Sequence, residues 1–246
     1  AVEGRAPLVF LHEGLGSVAM WRDWPDRLCA ATGRAGVVYS RQGYGRSDPT
    51  PDVRGEPAEG DGGRSGRLRP DYMHREALDV LPALLRRLGL VRPVLVGHSD
   101  GGTIALLHAS RHPVAACVVL APHVIVEEVS LRSIERAREA YTKGDLRARL
   151  SRYHADVDIA FWQWNDVWLS PEFRAFDIRE DCRRIQAPLL AIQGVDDPYG
   201  SMAQLHDIAA AAPHARLVEV ADCGHSPHRD QPDAVTAAIA GFLRFA

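Results

Sequence analysis

The chain has 246 residues, 46% of them hydrophobic, enough to bury the core of one large α/β domain. Its formal charge of −3 comes from acidic and basic residues mixed along the chain, which excludes the electrostatic footprint of nucleic-acid binding and leaves no basic amphipathic face for a membrane surface. No run approaches about 18 uninterrupted apolar residues, and no charged start followed by an apolar stretch marks a secretory leader.

In chain order, short apolar runs bounded by turn residues lie at 7–11, 35–40, 93–97, 115–121, 188–193 and 215–220. They are rich in Val and Leu without alternation, as strands buried on both faces require. Helical patterns separate them at 21–31, 71–88, 103–111, 202–211 and 233–245. Strand alternating with helix predicts an α/β fold, a mostly parallel sheet with helices on both faces and ligands beyond the carboxyl ends of the strands. Two segments break the rhythm. Residues 49–70 carry Pro, Gly, Arg, Asp and Glu with few apolar side chains, which predicts a mobile loop. Residues 123–187 are too long for one crossover and show helical patterns at 130–141, 145–154 and 157–168, a candidate cap inserted into a core made of 1–122 and 188–246. Cys29, Cys117, Cys182 and Cys223 form no C-x-x-C pair and read as reduced core thiols, consistent with a cytoplasmic setting.

The most informative stretch is Gly97-His98-Ser99-Asp100-Gly101, a G-x-S-x-G between the run at 93–97 and the helix that follows. A serine on so sharp a strand-to-helix turn stands with its Oγ exposed, while the glycines let neighbouring backbone pass close. Further motifs are His12-Glu13-Gly14-Leu15-Gly16 after the first strand, Ser40-Arg41-Gln42-Gly43-Tyr44-Gly45-Arg46-Ser47 after the second, Gly194-Val195-Asp196-Asp197 after the fifth, and Gly224-His225-Ser226-Pro227 after the sixth.

Together these resemble the α/β-hydrolase superfamily across nearly the whole chain. The loop at His12 is similar to its H-G-x-x-G oxyanion loop, with Glu13 where Gly is commoner. The segment at Ser40 is similar to its D-x-R-G-x-G-x-S, with Ser40 and Gln42 in place of Asp and Arg. The resemblance implies Ser99 as nucleophile, Asp197 as acid and His225 as base, because a serine hydroxyl needs a base and the base a carboxylate to hold its tautomer. It places the oxyanion donors on the N–H groups of Asp100 and of Gly14, with Leu15 as the alternative to Gly14. The Asp100 carboxylate is then expected to act only on the helix dipole. A serine at the elbow sets the chain apart from dehalogenases and epoxide hydrolases of this fold, which carry an aspartate there.

Alternatives remain for the acid. Asp196 fits if the turn is offset by one residue, Asp222 lies near the histidine as a turn former, and Glu127 and Glu128 follow the fourth strand, where some family members keep their acid. His98, His123 and His228 are possible site liners among eleven histidines. Phe161, Trp162, Trp164 and Trp168 crowd the candidate cap, and Trp162, Trp164 and Trp168 are expected to help bind a hydrophobic part of a small-molecule substrate. The expected activity is a cofactor-independent and metal-free serine hydrolysis of a carboxylic ester, lactone or thioester. A carbon–carbon bond hydrolase of vinylogous diketones would use the same three residues, and a non-catalytic ligand receptor is the reading from another class.

Overall fold

In a computed structural model, residues 4–55 and 66–244 are described. Six parallel strands form one sheet: β1 (Leu8–Leu11), β2 (Gly36–Val38), β3 (Val94–His98), β4 (Ala116–Leu120), β5 (Leu189–Gly194) and β6 (Arg216–Val220), in the order β2-β1-β3-β4-β5-β6. Side chains along a strand point alternately to opposite faces, so each central strand feeds two cores. Leu8, Phe10, Val94, Val96, Val118 and Ile192 face Trp24 and Leu28 of α1 (Trp24–Thr32) and the last helix. Val9, Leu95, Val119 and Ala191 face the opposite layer, which contains α2 (residues 72–87) and α3 (Asp100–Ala109). Truncating a fully buried member such as Leu95 to Ala is expected to destabilise the fold by about 2–5 kcal/mol. The edges differ from the expectation of burial on both faces: Gly36 in β2 and Arg216 and Glu219 in β6 are exposed, because an edge strand lacks one neighbour and here lies beyond full helix cover.

β1 lies between β2 and β3, and Leu11 pairs with Gly97, so the loops leaving β1 and β3 emerge side by side at the carboxyl edge. The chain winds outward to β2 and then back across to β3, which opens a crevice at that reversal. α2 is one helix whose middle turn, Glu76–Val80, has π geometry directly before Pro82, where a missing N–H interrupts the ordinary ladder.

Between β4 and β5 the chain makes a helical excursion: α4 (Glu128–Lys143), α5 (Leu146–Leu150), α6 (Val157–Trp168) and the short α7 (Arg179–Cys182). It leaves and returns at one place, since Ile125 bridges Asp177 and Ile178 N–H donates to Val124 O at 2.9 Å. The helix expected at 145–154 shortens to α5, leaving His154 outside it and bonded to the core. Asp156 caps α6, its Oδ1 accepting from the N–H groups of Asp158 (3.0 Å) and Ile159 (2.9 Å). The further α-helices among the described residues are α8 (Ala203–Ala211), α9 (Pro227–Asp230) and α10 (Pro232–Phe242). All four cysteines are free thiols, with Cys29 half-buried and the others buried. Residues 56–65 of the loop expected at 49–70 lie outside the described residues. Among the described residues no helix is long and apolar enough to cross a membrane.

Candidate active site

Ser99 ends the turn out of β3 with φ +51° and ψ −119°, a conformation that costs a non-glycine residue on the order of 1–3 kcal/mol. The tightness comes from its neighbours. A Cβ on Gly101 would sit 2.0 Å from the Leu11 carbonyl oxygen, and one on Gly97 would sit 2.1 Å from that of Gly101. Only glycine lets α3 approach β1 this closely, and the approach drives Ser99 Oγ outward.

Two loops from the far side of the sheet meet it. β5 ends at Gly194, where a Cβ would lie 2.1 Å from the Cys223 carbonyl oxygen, and Asp196 N–H donates to that oxygen at 2.9 Å. The turn carrying Asp197 is thereby joined to the loop carrying His225, whose Gly224 N–H is held by the Asp230 carboxylate at 2.9 Å. His225 Nε2 lies 2.9 Å from Ser99 Oγ, and Nδ1 lies 2.9 and 3.0 Å from the two Asp197 oxygens. A carboxylate can only accept, so Nδ1 carries the proton and Nε2 presents its lone pair to the serine. Burial by itself would raise the Asp197 carboxyl. The His225 hydrogen bond and charge and the Tyr199 N–H bond, 2.8 Å long, outweigh it and hold the group below the usual carboxylate range.

Among the described residues none of the rival acids hydrogen-bonds the His225 ring. Asp196 and Asp222 are exposed, Glu127 binds Ser201 and Gln204, and Glu128 pairs with Arg174.

A cavity of about 180 Å³ opens over Ser99. Of the sequence-derived liners, Gly14, Leu15, His98, Asp100, His123, Trp164 and Trp168 border it, joined by Glu13, Ile134 and Tyr199, which sequence reasoning did not place there. Trp162 does not border it. Its ring packs edge-on to Phe161 and carries the Arg54 guanidinium 4.0 Å from its centroid. His228 is also behind the wall, its ring packed at a tilt against Trp21 and Trp24. His98 Nε2 donates to the His225 carbonyl at 2.6 Å, and its Nδ1 faces the Glu13 carboxylate at 3.4 Å. Burial depresses His123 to about 3, keeping it neutral beside His225 and Trp168. Among the described residues no cluster of three His, Cys, Asp or Glu is arranged to hold a metal ion.

The N–H groups of Gly14 and Asp100 donate to no other described residue. The Asp100 carboxylate overturns the expectation of a group acting only on the helix dipole. It is fully buried, accepts the Tyr72 hydroxyl and lies 3.7 Å from the Arg41 guanidinium, and burial raises it above the usual carboxylate range.

A family model described as the alpha/beta hydrolase family matches residues 8–238. A protein of Pseudomonas savastanoi pv. phaseolicola that carries the name carbamate hydrolase RutD is 28% identical over 97% of this chain and 94% of its own length. The mouse sn-1-specific diacylglycerol lipase ABHD11 is 24% identical over 96% of this chain and 80% of its own. Among solved structures, the enol-lactonase of Burkholderia xenovorans LB400 superposes with a TM-score of 0.73 at 22% identity, covering 99% of this chain and 94% of that one. At that identity the superposition speaks for the fold.

Proposed function

The chain belongs to the alpha/beta hydrolase family, and within it we propose a serine hydrolase that cleaves a carboxylic ester, or a related lactone or thioester, through an acyl-Ser99 intermediate. The observation that carries this reading is the unbroken chain from Ser99 Oγ to His225 Nε2 to the Asp197 carboxylate on a strained elbow. Ser99 attacks the carbonyl carbon while His225 takes its proton, and the imidazolium formed is stabilised by Asp197. His225 then returns the proton to the leaving oxygen or sulfur. Water, activated by the same imidazole, hydrolyses the acyl-enzyme. The tetrahedral oxyanion is received by the N–H groups of Gly14 and Asp100, each worth about 10²–10³ in kcat where such donors have been removed. Residues 123–187 serve in this reading as the cap that closes over the acyl group.

The acyl group proposed is small and partly apolar. A space of about 180 Å³ is below the roughly 300–1,000 Å³ of pockets for drug-sized ligands, and Leu15, Ile134, Trp164 and Trp168 supply its apolar walls. The test is labelling by a fluorophosphonate, with the modified residue mapped by mass spectrometry, together with a panel of short and long acyl esters, lactones and thioesters. Labelling at Ser99 and turnover of short-chain esters is the expected result. A protein that resists the label and turns over nothing in the panel is a ligand-binding relative instead.

A further inference from the structure

We infer that Arg41 is the positioning residue of the oxyanion hole, one buried guanidinium that fixes both backbone donors at once. The inference rests on the acyl-Ser99 reading and extends it to Arg41, which occupies a variable position of the segment after β2. Arg41 follows β2 and is 5% exposed. Its Nη2 donates to the Glu13 carbonyl at 3.0 Å, and the same nitrogen lies 3.7 Å from the Asp100 carboxylate. These two contacts reach the Glu13–Gly14 peptide and the Asp100 side chain, the two places that carry the proposed oxyanion donors.

The first contact acts through the peptide plane. The Glu13 carbonyl and the Gly14 N–H belong to one peptide group, no peptide bond among the described residues is cis, and a trans amide points its C=O and N–H in opposite directions. Fixing the carbonyl therefore aims the donor. Three groups fix it: Arg41 Nη2, Gly16 N–H at 3.0 Å and His12 Nδ1 at 2.7 Å. His12 is buried, and that burial, with Arg41 nearby, depresses it to about 3, so the ring is neutral. Its Nδ1 proton goes to Glu13, and its Nε2 accepts the backbone N–H of Arg41 itself at 3.0 Å.

The second contact holds the elbow from behind. The Asp100 carboxylate is gripped by Arg41 and by the Tyr72 hydroxyl, which in turn accepts the Trp168 indole N–H at 3.0 Å. The first residue of α3 thus cannot rotate its peptide without breaking a buried ion pair. The Tyr44 ring lies under the guanidinium at 4.9 Å, and Glu76 adds a second buried carboxyl nearby. A buried ion pair is weak as a device for stability alone, since apolar residues of similar volume often replace one without loss. Its use here is geometric, because a donor displaced by about an ångström forfeits much of its effect on the transition state.

The experiment compares Arg41→Met, Arg41→Lys and the double variant Arg41→Met/Asp100→Leu, which removes the buried pair together and keeps both backbone donors. Each is checked for folding by circular dichroism and melting temperature. The readouts are kcat and KM on a short acyl ester, and the affinity of propylboronic acid, whose tetrahedral adduct on Ser99 places an oxygen in the hole. The double variant and Arg41→Met are expected to lose about 10²–10³ in kcat, with KM changed less than about threefold and boronate affinity falling in parallel. Arg41→Lys is expected to recover at least about tenfold of that loss, because one ammonium can hold the Glu13 carbonyl but not both partners. A well-folded variant with unchanged kcat, a loss confined to KM, or boronate affinity that stays at the wild-type value while kcat falls overturns the inference alone. A wild-type Ser99 that takes no fluorophosphonate overturns the acyl-enzyme reading and this inference together.

Discussion

On the side of β5 and β6, the site is joined side chain to side chain: serine to imidazole to carboxylate, every link about 3 Å long. On the side of β1 and β2, the oxyanion donors we propose are backbone N–H groups, and Arg41, His12 and Tyr72 are buried behind the peptides that carry them. In the mechanism we propose, the first half handles a proton, so its residues must be chemically particular and can be carried by short turns. In the same proposed mechanism the second half receives a charge, so the direction of an amide is what matters, and direction is set by whatever fills the space behind. Its supports can therefore differ in identity while the surface they present stays the same.

The largest effects should come from breaking the proton-handling half. Ser99→Ala and His225→Ala are each expected to lower kcat by roughly 10⁴–10⁶, and the double variant to be little worse than either, because the residues act as one unit. Asp197→Asn should cost on the order of 10⁴ by releasing the wrong His225 tautomer, whereas Asp196→Asn, on an exposed residue, should stay within about threefold. Steady-state kinetics on one ester ranks all five variants. Equal losses for the two aspartates would show that the turn, and not the Asp197 carboxylate, is what His225 depends on.

The two halves were unequally legible in the sequence, for the same physical reason. Ser99, Asp197 and His225 stand in short segments whose glycines and turn residues are adjacent in the chain, so one pentapeptide and two tetrapeptides carry the signal. Arg41, Tyr72 and Trp168 come from three distant segments and meet only because the sheet reversal and the helical excursion bring them together. Asp100 shows the limit most clearly. Its position at the start of a helix suggested a charge acting on the dipole, but α3 lies flat in the core and every one of its residues is buried. The parallel sheet with helices on both faces, by contrast, followed from alternation of strand and helix, while exposure at β2 and β6 depends on being at an edge, which no local pattern reports.

A middle-sized effect should separate the wall of the cavity from the packing around it. Trp164 borders the cavity and its indole nitrogen would lie 2.2 Å from a Cβ on Gly14, whereas Trp162 is outside with Arg54 on its ring. Trp164→Ala is expected to raise kcat/KM for a longer acyl ester relative to acetate by at least about tenfold, in line with the 10–200-fold that one methylene is worth in an apolar pocket. Trp162→Ala should leave that ratio within about threefold, and a melting-temperature comparison checks that both variants fold. Matching shifts in the two would mean that the excursion senses chain length as a body and not through the residue at the cavity.

The smallest effect concerns protons outside both halves, and it separates acid loss of activity from acid loss of fold. His108 is buried in α3, its Nδ1 2.8 Å from the Ala77 carbonyl and its ring stacked on His112, and burial lowers it to about 4 from an ordinary 6.5. A histidine whose folded-state value is depressed contributes stability that is complete above pH 6.5 and lost as pH falls toward 4, because only the unfolded chain takes up the proton in that window. The unfolding free energy should then fall with acidification by about 1.4 kcal/mol per pH unit from this residue. His12 and His123, both lowered to about 3, add slopes of the same sign over a wider window. His108→Gln keeps a donor for Ala77 and removes the titration. Urea unfolding of wild type and variant at pH 4.5, 5.5 and 6.5 should show a slope smaller by about one proton in the variant, with kcat at neutral pH unchanged. Identical slopes would mean that His108 is protonated in the folded state, and the acid sensitivity of the protein would then fall to the imidazoles around Ser99.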